Sequence, residues 1–373
     1  MNEQITVRVG QPYFSDSDIS EIESGVSRVL RSGWLTSGQV AVDFEQKFAD
    51  IIGTRYAIAV NSGTAALHTL TSALNLDPHD EVVVPANTFV STVNAVLYVR
   101  ARPVLVDCDL ETFNVTAENI ERGITPHTKA VMVTHVGGNP CEMDDIIKLC
   151  RERGLVLIED AAHAHGSKYR GKACGSFGFG GAFSFYPTKV MTSGEGGMIT
   201  TDSQKLYEYA KAFRNMGRKR VGHGPILALG QNYRMSEIHA VVGTTQLKHL
   251  REFVQKRNEL SRIYDEELSR LDWLEPQVVH EHSISSRYAY IVMLSRKRRI
   301  ARDSVMESLT RNGIETTVMF TPVHMQPYYK HMFTGVKCPN AELIGTAGLV
   351  LPLHVGMGVR DVESVVEALR KLE

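Results

Sequence analysis

Between residues 55 and 250, short β-branched runs alternate with helix-patterned segments, and no other feature of this chain constrains the fold as tightly. The strand candidates are residues 56–60, 81–84, 104–107, 130–135, 155–159, 182–186 and 198–200. Most are uninterrupted apolar runs rather than alternating ones, the pattern of strands covered on both faces. Between them lie helical segments such as 64–74, with Leu67, Leu70 and Leu74 on one face, and 144–153. Strand, helix and strand repeated in this way predict an α/β fold with a mostly parallel central sheet flanked by helices. At 373 residues the chain exceeds one minimal core, so two domains are expected. Residues 1–250 read as a large α/β domain that includes the N-terminal segment, and residues 251–373 as a smaller C-terminal α+β domain. The second half opens on a charged helical stretch, 251–270, followed by strand-like 288–294 and a helix at 303–312. It closes on 361–372, where Val362, Val365, Val366, Leu369 and Leu372 form an apolar stripe behind Asp361 as N-cap.

Composition removes several function classes. With 41 basic and 42 acidic residues, no net charge draws the chain onto nucleic acid or an anionic membrane. No apolar run approaches the roughly 20 residues of a membrane helix. The start, MNEQITVRVG, lacks the layout of a signal peptide. Five scattered cysteines without a CxxC pair suit free thiols. A cytoplasmic protein with neither a disulfide framework nor a metal site is expected.

In open α/β sheets, ligands bind beyond the carboxyl ends of the strands. After 56–60 come Asn61, Ser62, Gly63 and Thr64, then a helix. A small-residue turn at a helix N-terminus offers free N–H groups to an anion, although the same residues also read as a plain N-cap. No GxGxxG or GxxxxGK[ST] occurs, so dinucleotide and P-loop readings lose their main support. After 155–158 come Asp160 and His163, three apart and within reach of one bound ring. A carboxylate at a buried strand end needs a cationic or hydrogen-bonding partner; the bland alternatives are a turn cap and a histidine on a polar face. After 182–186 comes Lys189. Strand alternation puts Ser184 and Tyr186 on one side and Phe183 and Phe185 on the other, so Ser184 can offer its hydroxyl to an anion lying under the lysine. Taken alone, a lysine in a turn is a solvated residue. Taken together, an anion pocket, an acid for a pyridinium nitrogen, a hydroxyl and an imine-forming amine are the set that pyridoxal phosphate requires. Phe89, beyond strand 81–84, is placed to stack on the ring or to fill core.

Longer stretches carry a family likeness: GWLTSG (33–38), FEQKFADIIGTRYAIAVNSGTAALH (44–68), DEVVVPANTFVSTVNAV (80–96), IEDAAHAHGS (158–167), FSFYPTKVMTSGEGGM (183–198), NYRMSEIHA (232–240) and TPVHMQPYY (321–329). Over nearly its whole length the chain resembles the DegT/DnrJ/StrS aminotransferases. These are pyridoxal phosphate enzymes of fold type I, aspartate-aminotransferase-like in architecture, that mostly aminate keto groups on nucleotide-linked sugars. The resemblance implies Lys189 as the Schiff-base lysine, Asp160 as the partner of the pyridine nitrogen and His163 as a contact of the ring's 3-hydroxyl. It implies Gly63, Thr64 and Ser184 as phosphate ligands and Phe89 as the stacking aromatic. Asn232 would reach the phosphate of a neighbouring subunit, so a homodimer with shared sites is implied.

The implied reaction moves an amino group from L-glutamate to a keto group of a nucleotide-linked (4-keto-6-deoxy) sugar. The GEGG after the lysine resembles members that act at C4. Arg218, Lys219 and Arg220 are placed to meet a diphosphate, or form a solvated loop, and His324 matches a substrate contact. Tyr186, where many members carry His, together with His354 and THVGGNP (134–140), departs from common versions. These departures bear on the acceptor, so a keto-cyclitol acceptor stays open, as does a non-catalytic regulatory protein that keeps the cofactor. A dehydratase branch carries His at the lysine position, and Lys189 speaks against it.

Overall fold

The computed structural model describes residues 5–218, 224–295 and 300–372. A seven-stranded sheet runs in the spatial order Tyr56–Val60, Gly197–Thr201, Gly180–Ser184, Val156–Asp160, Thr128–Thr134, Glu81–Pro85, Arg102–Val106. Five of these strands pair in parallel, and Gly197–Thr201 lies antiparallel to both its neighbours. The reversal has a local cause. A parallel return needs a crossover of a dozen or more residues, usually a helix. Between Gly180–Ser184 and Gly197–Thr201 the chain has only loop 185–196, so it comes straight back beside itself.

Both sheet faces are covered, as the continuous apolar runs require. Val82 and Val84 pack with the helices Gly63–Ser72 and Val90–Tyr98, whereas Val83, one residue out of phase, packs with Met143–Arg153. A third cluster sets Phe183 and Phe185 against Phe44 and Phe48 of helix Gln39–Ile52.

A second sheet, antiparallel throughout, has the order Leu274–Pro276, Tyr290–Leu294, Gly348–Leu351. It shares a separate core with helices Arg302–Arg311 and Val359–Arg370 around Trp273, Tyr264 and Leu309. The stripe Val362, Val365, Val366 and Leu369 is buried there. Its helix starts earlier than the sequence suggests, with Gly358 as the cap; Asp361 lies inside the first turn and accepts the Gly358 N–H at 2.8 Å. Helix Leu250–Leu268 joins the two cores. Its Leu250, Phe253 and Val254 pack under the large sheet, while Leu260, Tyr264 and Leu268 pack with the small one.

Val7 packs with the C-terminal core and bridges Ile314, and the Thr6 and Val7 amides donate to the Gly313 carbonyl. The N-terminal segment thus touches both cores, for Val9 packs against the main cluster of the large sheet and the Tyr13 carbonyl accepts from Gln246 Nε2 at 2.8 Å. The backbone at 313–315 offers groups that need partners, and Val7, in the middle of the alternating Ile5, Val7 and Val9, is buried beside them. All five cysteines are buried and unpaired. No described helix is long and apolar enough to cross a membrane.

Candidate active site

At the carboxyl edge of the large sheet lies a cavity of about 510 Å³. Gly63, Thr64, Phe89, Asp160, His163, Ser184 and Lys189 all line it. They arrive from four different strand ends, so only the folded sheet brings them together.

The anion-binding end is built on helix Gly63–Ser72. Ser62 has extended backbone, and its hydroxyl accepts the Ala65 N–H at 3.1 Å. It is thus an N-cap, and the first-turn amides beyond it have no partner inside the helix. Thr64 Oγ1 and Ser91 Oγ share a hydrogen bond 2.7 Å long. A Cβ on Gly63 would sit 2.7 Å from Ser184 Cβ. Only glycine lets this helix start come so close to the strand that carries Ser184.

Lys189 is held by its loop's own bonds. The Phe185 N–H donates to Gly196 O at 2.8 Å, Ser193 N–H to Phe185 O at 3.0 Å, and Lys189 N–H to Tyr186 O at 3.0 Å. Phe183 and Phe185 are sealed against Phe48, with ring centroids 5.0 and 5.5 Å away. The pleat therefore turns Ser184 and Tyr186 toward the cavity. Lys189 Nζ stands 4.6 Å from the centroid of the Tyr288 ring, a contribution from the C-terminal half.

Asp160 ends its strand opposite Thr134 and is 4% exposed. Thr92 Oγ1 donates to its Oδ2 at 2.7 Å, and the Ala162 N–H donates to its Oδ1 at 3.2 Å. Burial raises the carboxyl above the usual carboxylate range, and these two donors together with the Lys189 charge pull it back. Both hydrogen-bond donors are neutral groups, so this acid is suited to a cationic N–H. His163 stacks on Tyr288 with centroids 4.1 Å apart and on Phe320 at 5.7 Å. Burial pushes it well below the ordinary imidazole range, so it is neutral, and its buried Nδ1 has no hydrogen-bond partner in the protein.

Phe89 precedes helix Val90–Tyr98 and is 57% exposed at the cavity wall. The remaining candidates stand apart from this cavity. Asn232 is exposed; its backbone bridges Asn215, and its carbonyl accepts from Asn61 Nδ2 at 3.3 Å. Arg218 is half-buried, its N–H donating to Asn215 O at 3.1 Å. Lys219 and Arg220 lie outside the described residues. His324 is buried, with Nε2 3.0 Å from Glu342 Oε1.

Sequence reasoning overlooked Thr92, Tyr288 and Phe320. Thr92 had a visible signal, since Thr88 and Thr92 are one helical turn apart just after a strand. Tyr288 and Phe320 had none, because long-range packing alone brings them to His163.

Comparison with known proteins gives this geometry its context. The family model for DegT/DnrJ/EryC1/StrS aminotransferases matches residues 16–370. The GDP-perosamine synthase of Caulobacter vibrioides is 40% identical over 349 residues, covering 92% of this chain and 93% of that protein. Helicobacter pylori PseC, an aminotransferase involved in the biosynthesis of pseudoaminic acid, has a TM-score of 0.91 at 28% identity, with 98% of each chain covered. Spr1654 of Streptococcus pneumoniae, solved in its PLP form, has a TM-score of 0.90 at 26% identity, again with 98% of each chain covered. With the family pattern spanning almost its full length and its fold matched throughout, this chain belongs to the DegT/DnrJ/EryC1/StrS aminotransferase family and is a pyridoxal-phosphate-dependent transaminase of fold type I.

Proposed function

We propose that the protein transfers an amino group from L-glutamate to the keto group of a nucleotide-linked 4-keto-6-deoxy sugar, for amino-sugar biosynthesis, and that Lys189 and Asp160 are its central residues. The observation that carries this reading is their convergence on one cavity from separate strand ends. The donor set fits pyridoxal 5'-phosphate on three counts. Asp160 is a buried acid held by neutral donors, His163 keeps an orphaned Nδ1, and Gly63 leaves room beside Ser184 that a Cβ would fill. When bound, the cofactor supplies an aldehyde that captures amines and a ring that accepts electrons from the adjacent carbon.

The chain's own residues do the rest. Lys189 Nζ would tether the cofactor and, as a free amine, would take and return the proton at the reacting carbon. Asp160 holds the ring N–H through charge, since an anion next to a base favours its protonated form. His163 offers a neutral ring edge to the 3-hydroxyl and is kept in place by Tyr288 and Phe320. The amides at Gly63 and Thr64 and the Ser184 hydroxyl would hold the phosphate, and Phe89 would stack on the ring. Asn232 lies outside this cavity, which suits a role at the phosphate of a second subunit in a homodimer. Arg218, Lys219 and Arg220 would meet the diphosphate of the acceptor, and His324 its neighbourhood. Relatives named for perosamine and pseudoaminic acid support a sugar acceptor.

Two measurements test this. Borohydride reduction of the holoprotein followed by peptide mapping should mark Lys189 and no other lysine. Reverse transamination with 2-oxoglutarate, against a panel of amino-sugar nucleotides and aminocyclitols, should turn over the sugar nucleotides; exclusive turnover of an aminocyclitol refutes the acceptor.

A further inference from the structure

We infer that Thr134, Thr88 and Thr92 form a one-directional hydroxyl chain that positions Asp160 and keeps its carboxylate charged toward the cofactor site. Three contacts define the chain. Thr92 Oγ1 is 2.7 Å from Asp160 Oδ2, Thr88 Oγ1 is 2.7 Å from Thr92 Oγ1, and Thr134 Oγ1 is 2.8 Å from Thr88 Oγ1. All three threonines are buried, and Thr134 is also the register partner of Asp160 on the adjacent strand.

The direction follows from proton counting. A threonine hydroxyl has one proton and two lone pairs. An ionised Asp160 accepts only, so Thr92 spends its proton there. The contact between Thr88 and Thr92 then requires Thr88 to donate, and the contact between Thr134 and Thr88 requires Thr134 to donate. Three aligned O–H dipoles thus end on one carboxylate oxygen, each polarising the next. Threonine is an odd choice for packing alone here, because valine fills the same volume without a group that needs a partner. The alignment has a chemical consequence for the function proposed above, on which its catalytic part rests. Donors to a carboxylate stabilise its charged form, and in a contact between a carboxylate and a ring N–H they keep the shared proton on the ring. Thr92, Thr88 and Thr134 are positioning residues, since they reach the reacting group only through Asp160.

The other groups that face Asp160 must be held constant in any test. Lys189 comes from loop 185–196, His163 from the turn after its own strand, and His135 from the end of the adjacent strand, where it contacts Glu159. Thr92→Val removes the donor with little change of shape, Thr92→Ser keeps it, and Thr88→Val and Thr134→Val cut the chain further out. The primary readout is difference infrared spectroscopy of cofactor-free protein, following the protonated-carboxyl band of Asp160 against Asp160→Asn as pH rises. A charge-assisted hydrogen bond is worth roughly tenfold in an equilibrium constant. The midpoint should therefore rise by about one pH unit in Thr92→Val, by less in Thr88→Val, least in Thr134→Val, and return to the wild-type value in Thr92→Ser.

In holoprotein, kcat should fall in the same order while KM for the amino donor stays level. Equal midpoints for Thr92→Val and wild type overturn the inference, as does a Thr92→Ser protein that behaves like Thr92→Val. Both infrared outcomes stand whether or not the protein aminates a sugar. Failure of every variant and the wild type to retain cofactor would strike the functional reading instead.

Discussion

The carboxyl edge of the large sheet and the small C-terminal sheet differ in where their polar groups face, a shared cavity at the one and the packed interior at the other. At the large sheet, polar side chains gather at strand ends and several are left with unused capacity, among them Asp160, Ser184 and the Nδ1 of His163. Around the small sheet the bonds that buried polar groups make run to other parts of the same core, and its orphaned atoms, such as Ser261 Oγ and Arg257 Nε, are not part of the cavity lining. The Tyr290 hydroxyl donates to Asp265 at 2.6 Å and the Tyr264 hydroxyl to Pro352 O at 3.0 Å. Arg257 Nη1 donates to the carbonyls of Arg287, Tyr288 and Leu353. An unpaired buried polar group costs free energy wherever it lies, so spare capacity on the wall of a cavity, as at His163, marks where a ligand completes the structure. The small sheet contributes walls, through Tyr288, Val350 and Leu353, rather than chemistry.

Four experiments can break or sharpen that contrast. The largest effect is expected from Lys189→Ala, which should lower kcat by at least about four orders of magnitude, as loss of a covalent-catalysis residue does. Its thermal midpoint without cofactor should stay near that of the wild type, because this half-buried side chain's one ring contact is with Tyr288. Next comes Trp273→Ala in the small core, where the ring is 1% exposed. Unfolding by urea should show a loss of about 3–5 kcal/mol, with turnover per folded molecule at the wild-type level. A large drop in turnover at full stability would erase the contrast.

His165 tests the large-sheet side through pH. It is fully buried against Phe183 and Phe185, and burial pushes it down to about 3 from an ordinary 6.5. Below pH 6.5 the unfolded chain takes up a proton that the folded one refuses, so stability falls as pH falls. Between about pH 6.5 and pH 5 this residue alone should remove on the order of 2 kcal/mol. Urea titrations of His165→Leu and wild type should diverge by that amount across this window, with the variant the less pH-sensitive. Parallel curves would mean that His165 is protonated in the folded state. The smallest effect is expected from Gly63→Ala. The added Cβ meets Ser184 Cβ, which cannot swing aside, and affinity for pyridoxal phosphate should fall by roughly tenfold, about 1.4 kcal/mol. An equilibrium titration followed by absorbance measures it.

Much of this was legible along the chain. The strand Tyr56–Val60 was placed residue for residue, and the others to within a few positions, because uninterrupted β-branched runs leave few alternatives. Ser184, Lys189, Asp160 and His163 were picked out by their place just beyond such runs, which is where an α/β sheet opens. The features that the sequence leaves open share a cause. Reversal of Gly197–Thr201 depends on the length of a connection, not on the strand's own residues. The docking of Val7 beside Ile314 joins segments more than 300 residues apart, and no local pattern reports a contact of that range. Asp361 was misread as a cap because a glycine three residues earlier served instead.

The amino-acid order by itself determined which segments are strands, which face of each is apolar, and that a small-residue turn, an acid and a lysine each follow the end of a different strand. Those are properties of neighbours in the chain, set by backbone sterics and side-chain period. Only the tertiary structure decided that Tyr288 lies against both His163 and Lys189, that three threonines from a strand, a turn and a helix touch in a line, and that Asp160 is buried beside them. Such contacts depend on how whole layers pack, where the energy of many distant side chains is summed and no single stretch carries the answer.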